Sequence, residues 1–77
     1  MIDLKVEVRL FATFREGREK KYILELPEES NILTVLGMLN IKEEDASILL
    51  LNGRDGDAKR TLKDGDVMAV FPPVGGG

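Results

Sequence analysis

The chain closes on Phe71-Pro72-Pro73-Val74-Gly75-Gly76-Gly77, the stretch whose residue types and order point most directly to chemistry. Three consecutive glycines bring no side chain to pack or cap, and glycine loses more backbone freedom on ordering than any other residue. Held in a fold, such a stretch costs stability. Two readings stand. One is a frayed terminus, the common behaviour of chain ends. The other is a slender strand that threads a partner's narrow site and offers its terminal carboxylate for reaction. Pro72 and Pro73 bear on the choice, because fixed φ and a missing N–H stop strand pairing and hold the chain near polyproline II. At ~3.1 Å per residue, the run from Pro72 to Gly77 would project roughly 15–20 Å from the body. It reads as stiff at the root and bare at the tip.

Composition narrows the chemistry further. The 77 residues make one small domain, of a size that buries only about 60% of its unfolded surface and leaves no room for a large enclosed cofactor site. The chain has no cysteine and no histidine. It therefore lacks disulfides, thiolate ligands, a nucleophilic thiol and the commonest general base near neutral pH, and no metal site is expected. Fourteen acidic against eleven basic residues give a net charge of −3. With no basic run to track phosphates, nucleic acid is not an expected partner. No apolar stretch approaches ~18 residues and no signal-like layout opens the chain, so a soluble cytoplasmic protein with no membrane contact is expected.

Several elements must position the closing stretch. Ile2, Leu4, Val6, Val8 and Leu10 alternate with Asp3, Lys5, Glu7 and Arg9, the period of a half-buried strand. Phe11 breaks the alternation and points to the opposite face. Thr13 to Lys20 reads as a loop anchored by Phe14, and Lys21 to Leu26 as a second strand closed by Pro27. Ser30 or Asn31 is a suitable helix N-cap. Ile32, Val35, Leu36 and Leu39 then fall at the spacing of one apolar helix face, assigned to core. Gly37 weakens that helix by about 1 kcal/mol, so packing must hold it, and Asn40 suits the left-handed C-cap. Lys42 to Asp45 is a turn. Ile48 to Leu51 is an apolar run ending in the Asn52-Gly53 turn signal. Gly53 to Arg60 reads as loop or irregular edge strand, Leu62 as a pin to the core, and Lys63 to Asp66 as a further turn. Val67 to Phe71 is the last strand, and Pro72 ends it.

The order β-β-α-β-β implies an α+β domain over residues 1–71, one helix on one face of a mixed sheet, followed by an extended tail over residues 72–77. One helix covers one face, so the other should be polar. The first strand obeys. The later strands do not: Ile48 with Leu50, and Val67 and Ala69 with Phe71, cannot lie on the same side as Leu49, Leu51, Met68 and Val70. One set must lie off the helix-covered face, where contiguous apolar surface marks a partner site unless its members simply cover one another.

Leu10-Phe11-Ala12-Thr13-Phe14-Arg15-Glu16, Leu62-Lys63-Asp64-Gly65-Asp66 and above all Phe71-Pro72-Pro73-Val74-Gly75-Gly76-Gly77 resemble the small subunit of molybdopterin synthase. That protein is a ubiquitin-like sulfur carrier of β-grasp fold, similar also to the thiamine-pathway carriers. The resemblance spans nearly the whole chain. It implies a carrier subunit without catalytic power of its own and with no bound cofactor, whose ATP and sulfur donor are used through an E1-like adenylyltransferase. That partner would adenylate the Gly77 carboxylate, and persulfide sulfur would displace AMP to leave a thiocarboxylate. In the large subunit of molybdopterin synthase the sulfur would build the dithiolene of the molybdenum or tungsten cofactor. By position, Gly76 and Gly77 are the essential pair, with Gly75, Val74, Pro73 and Pro72 as the rest of the tail. Phe11 and Phe71 would belong to the apolar face that both partners hold, and Leu50 is read as part of the same partner interface. Arg54-Asp55-Gly56-Asp57 is polar where the family can place an apolar interface residue. Two alternatives share the same terminus: a thiamine-type carrier, and a ubiquitin-like modifier conjugated through Gly77 to a lysine.

Overall fold

The alternation that opens the chain builds the centre of the sheet. In the computed structural model, which describes residues 3–73, strand β1 spans Asp3–Leu10. Leu4, Val6, Val8 and Leu10 are buried on one face, and Lys5 and Arg9 are exposed on the other. Ile2, read as the start of this strand, lies outside the described residues. Strand β2 (Lys21–Pro27) pairs antiparallel with β1, Val6 opposite Leu24 and Val8 opposite Tyr22. The chain then crosses the sheet through helix α1 (Ile32–Met38) to strand β3 (Ile48–Leu51), a short strand β4 (Arg54–Asp55) and strand β5 (Val67–Phe71). The sheet order is β2-β1-β5-β3-β4. Among the described residues only the β1–β5 pair is parallel. The two-residue β4 is the irregular edge strand anticipated for residues 53–60. It adds a fifth strand to the four read from the sequence. No helix among the described residues is long and apolar enough to cross a membrane.

Helix α1 is short, and its ends carry much of its definition. Asn31 is the N-cap: its side chain accepts from Thr34 N–H at 3.0 Å, while Asn31 N–H donates to Thr34 Oγ1 at 3.3 Å. This reciprocal pair satisfies donors that the first turn leaves orphaned. Ser30, the other candidate, is buried and donates instead to Pro27 O at 2.7 Å, closing the turn before the helix. At the far end Asn40 sits at φ 58°, and Ile41 N–H reaches back to Leu36 O at 2.9 Å. That is a left-handed stop with Ile41 buried against the core. The Arg18 guanidinium adds a cation there, its Nε donating to Leu39 O at 3.1 Å.

Ile32, Val35 and Leu36 of α1 meet Val6, Val8, Leu10, Leu26, Met68 and Val70 of the sheet, all fully buried. Each such side chain contributes about 1.5–3 kcal/mol on leaving water. Leu62 is buried as the sequence implied, and Ala58 is buried beside it within a stretch read only as polar. Arg60 explains that stretch. Its guanidinium donates to Leu49 O, Arg54 O and Asp57 O at 2.7–2.8 Å, fastening residues 53–60 to β3. Asn52 and Gly53, at φ 53° and 83°, form the tight turn between β3 and β4. The Asn52 side chain also donates to Asp66 Oδ1 at 2.8 Å and accepts from Val67 N–H at 2.9 Å, tying that hairpin to the start of β5.

Gly37 faces solvent, with nothing within 4 Å of where a Cβ would stand. Gly37→Ala is expected to raise the unfolding free energy by about 0.5–1 kcal/mol, read as a higher urea midpoint at unchanged slope. A lower midpoint would show that the helix needs glycine there.

Candidate functional site

On the face away from α1, the sheet carries an apolar patch rather than the polar surface that one-sided packing calls for. The parallel register pairs Leu10 with Val70. Carried one residue further, it sets Phe11 beside Phe71. Phe11 stays extended at φ −129°, ψ 154°, so its ring turns to the side opposite Leu10. Ala12 then takes φ 54°, and residues 12–15 close a 3-10 turn that returns Phe14 to the core. A non-glycine residue in that region costs of order 1–3 kcal/mol and persists only where its surroundings hold it. Here Phe14 holds it from below. On the outer face the Phe11 and Phe71 rings stack with centroids 4.3 Å apart and planes 10° from parallel.

Arg15 completes this corner. Its Nε donates to Leu10 O at 2.7 Å and its Cζ lies 5.1 Å from the centre of the Phe11 ring. The guanidinium is thus placed for a cation–π contact. Sequence reasoning gave Arg15 no role beyond the resemblance, because that contact depends on the fold of the turn.

Phe71 pairs with Ile48 across β5 and β3, and Ala69 pairs with Leu50. Leu50 therefore shares the patch, as read from the sequence, but Ile48 is the direct neighbour of Phe71 and is 39% exposed. The alternation placed Ile48 on this side. Its proximity to Phe71 required the strand register. Val67, Ala69, Leu50, Phe11 and Phe71 are half-buried, and Leu49, Met68 and Val70 are buried under the helix. The conflict seen in the sequence is resolved in favour of an outer apolar set.

The strand ends in a clamp. Ser47 N–H donates to Phe71 O at 2.8 Å, and Pro72, half-buried, has no N–H to extend the ladder. Pro73 is exposed. The other four tail positions, Val74, Gly75, Gly76 and Gly77, lie outside the described residues. A separate depression of about 590 Å³ is lined by Leu51 together with Asn52, Arg54, Arg60, Thr61, Lys63 and Asp66. Its most buried polar groups, Asp66 and the Arg60 guanidinium, are already engaged in holding loops together.

Known proteins are similar to this chain in sequence and fold. The ThiS family profile matches residues 8–77. The chain is 36% identical to small archaeal modifier protein 3 of Haloferax volcanii, over 96% of this chain and 100% of that protein. Among solved structures it is similar to a putative molybdopterin converting factor subunit 1 of Pyrococcus furiosus. That match has 36% identity and a TM-score of 0.75, and covers 92% of this chain and 99% of the other. It is also similar to a chain in the complex of subunits 1 and 2 of the Helicobacter pylori molybdopterin-converting factor. There the identity is 29% and the TM-score 0.65, over 96% and 100% of the two chains.

The patch and the core make different demands on stability. Phe71→Ala is expected to cost about 1–2 kcal/mol, from lost stacking and partial burial, against about 2–5 kcal/mol for Leu36→Ala. Urea unfolding of the two variants checks this. Equal losses would place the Phe71 ring among the core residues.

Proposed function

This chain belongs to the ThiS family, whose ubiquitin-like members are sulfur carriers and modifiers, and on that premise we propose that it carries sulfur on its own C-terminus for molybdopterin synthesis. The observation that carries the reading is the position of Phe71. Its ring is stacked on Phe11 outside the core, and its backbone leads directly into Pro72-Pro73 and the three glycines. A partner that grips the patch thereby holds the root of the tail.

The chemistry runs at the main chain. A carboxylate is a stabilised anion and resists a sulfur nucleophile. An E1-like adenylyltransferase transfers AMP from ATP to the Gly77 carboxylate and releases pyrophosphate, so one carboxylate oxygen leaves with AMP. A persulfide on the partner attacks the acyl carbon and expels AMP. A thiol then cleaves the sulfur–sulfur bond, becomes a disulfide, and frees the thiocarboxylate. In the large subunit of molybdopterin synthase that sulfur attacks a pterin precursor, and hydrolysis of the resulting acyl link returns the carboxylate. Glycines suit a tail that enters two enzymes, since no Cβ bars close backbone approach. The similarity to converting-factor subunit 1 supports this pathway.

A second reading is favoured by the small archaeal modifier protein at 36% identity: the same adenylate captured by a lysine to give an isopeptide bond. A thiamine-type carrier is the third use of the same terminus, supported by the ThiS family match.

Incubation with ATP, an activating enzyme and a sulfur donor, followed by intact-mass analysis, separates carrier from modifier. Exchange of one oxygen for sulfur is expected, and deletion of Gly76 and Gly77 should abolish it. Higher-mass lysine conjugates without that exchange would favour the modifier. In the same assay Phe71→Ala is expected to weaken binding to the activating enzyme by about tenfold or more, the 1.4 kcal/mol scale of one buried aromatic anchor. Undiminished binding would remove the patch from the account.

A further inference from the structure

At the end of the sheet away from β3 and β4, β2 presents an open edge. Leu10 N–H donates to Lys20 O at 2.9 Å, and the β1–β2 register continues from that pair. Antiparallel pairs alternate between bonded and non-bonded. Lys20, Tyr22, Leu24 and Leu26 therefore turn their backbone groups toward β1, and Lys21, Ile23 and Glu25 turn theirs outward. On the far side of β1, Glu7 N–H donates to Asp66 O, in agreement with this phase. No turn or loop hydrogen bond among the described residues engages the outward groups of Lys21, Ile23 or Glu25. An edge of this kind is a template for another strand.

Two features select the occupant. Ile23, at the middle of the edge, is 58% exposed on the outer face. Charge runs from Lys20 and Lys21 at one end to Glu25, Glu28 and Glu29 at the other. Antiparallel pairing of two copies about a two-fold axis at Ile23 sets Ile23 against Ile23 and Lys21 against Glu25 at both ends. Every one of these residues has outward backbone groups, so each pair can exchange both N–H···O bonds. Within the chain Lys21 lies opposite Arg9, an unfavourable like-charge neighbour that Glu25 of a second copy would offset.

We propose that β2 is a self-association edge, through which two copies join into one continuous antiparallel sheet centred on Ile23. The overlap is short and association costs rotational and translational freedom, so the dimer lies at the weak end of the affinity scale. Phe71, on β5, is separated from β2 by β1, and pairing through the outer edge of β2 does not use it.

Sedimentation of the full chain from about 10 μM to about 1 mM brackets that range. A concentration-dependent dimer is expected for the natural sequence. Lys21→Glu and Glu25→Lys should each lose it, because each sets like charges opposite one another. Mixing the two single variants should restore a heterodimer, in which every facing pair is again opposite in sign. That recovery cannot come from variants that fail to fold. A natural chain monomeric throughout, single variants whose mixture forms no heterodimer, or a dimer lost in Phe71→Ala but kept in Lys21→Glu would each overturn the proposal.

Discussion

β1 and β5 run side by side and parallel at the middle of the sheet, and that pairing fixes nearly everything else. A single helix of seven residues covers only one face. Leu10 and Val70, paired across the two strands, both point into the covered side and are buried. The next residue of each strand must then emerge together on the open side. Those residues are Phe11 and Phe71. The stack is therefore a consequence of register, and the same strand that completes the core leads from it into Pro72 and Pro73.

Polar side chains in this molecule mostly serve the backbone. Arg18 meets carbonyls at the end of the helix, Arg60 fastens a loop to β3, and Asn52 with Asp66 joins a turn to β5. Such bonds contribute about 1 kcal/mol each when made and cost more when one partner is lost. In a chain without cysteine or histidine, groups with these duties have little freedom to act on a substrate. Chemistry sited at the main chain's own end is consistent with that division.

Much of this was legible in the residues. Alternation in β1, the Ile32, Val35 and Leu36 face of the helix, the Asn52-Gly53 turn and the pin at Leu62 all follow from local rules, and the structure places them as read. Leu39 of the same stripe is instead the half-buried C-cap beyond the helix. The clash of parity along Ile48–Leu51 and Val67–Phe71 implies an apolar set on the outer face. Contacts set by register or by long side chains were not legible. Ile48, rather than Leu50, is the direct neighbour of Phe71 because of how β3 meets β5. Arg15 beside Phe11 and Arg60 over its loop depend on turns whose geometry no periodicity encodes. Ser30 and Asn31 were equivalent caps in the sequence, and only the burial of Ser30 beneath the turn separates them.

The central claim divides the molecule into a body that is recognised and an end that reacts. Its most direct test is competition: the chain truncated after Pro73 is added to a thiocarboxylation reaction of the full chain with its activating enzyme. The account predicts that the truncated chain inhibits, since it keeps the Phe11–Phe71 surface, and that it gains no sulfur itself. A truncated chain that fails to compete would show that recognition resides in the closing glycines, and would contradict it.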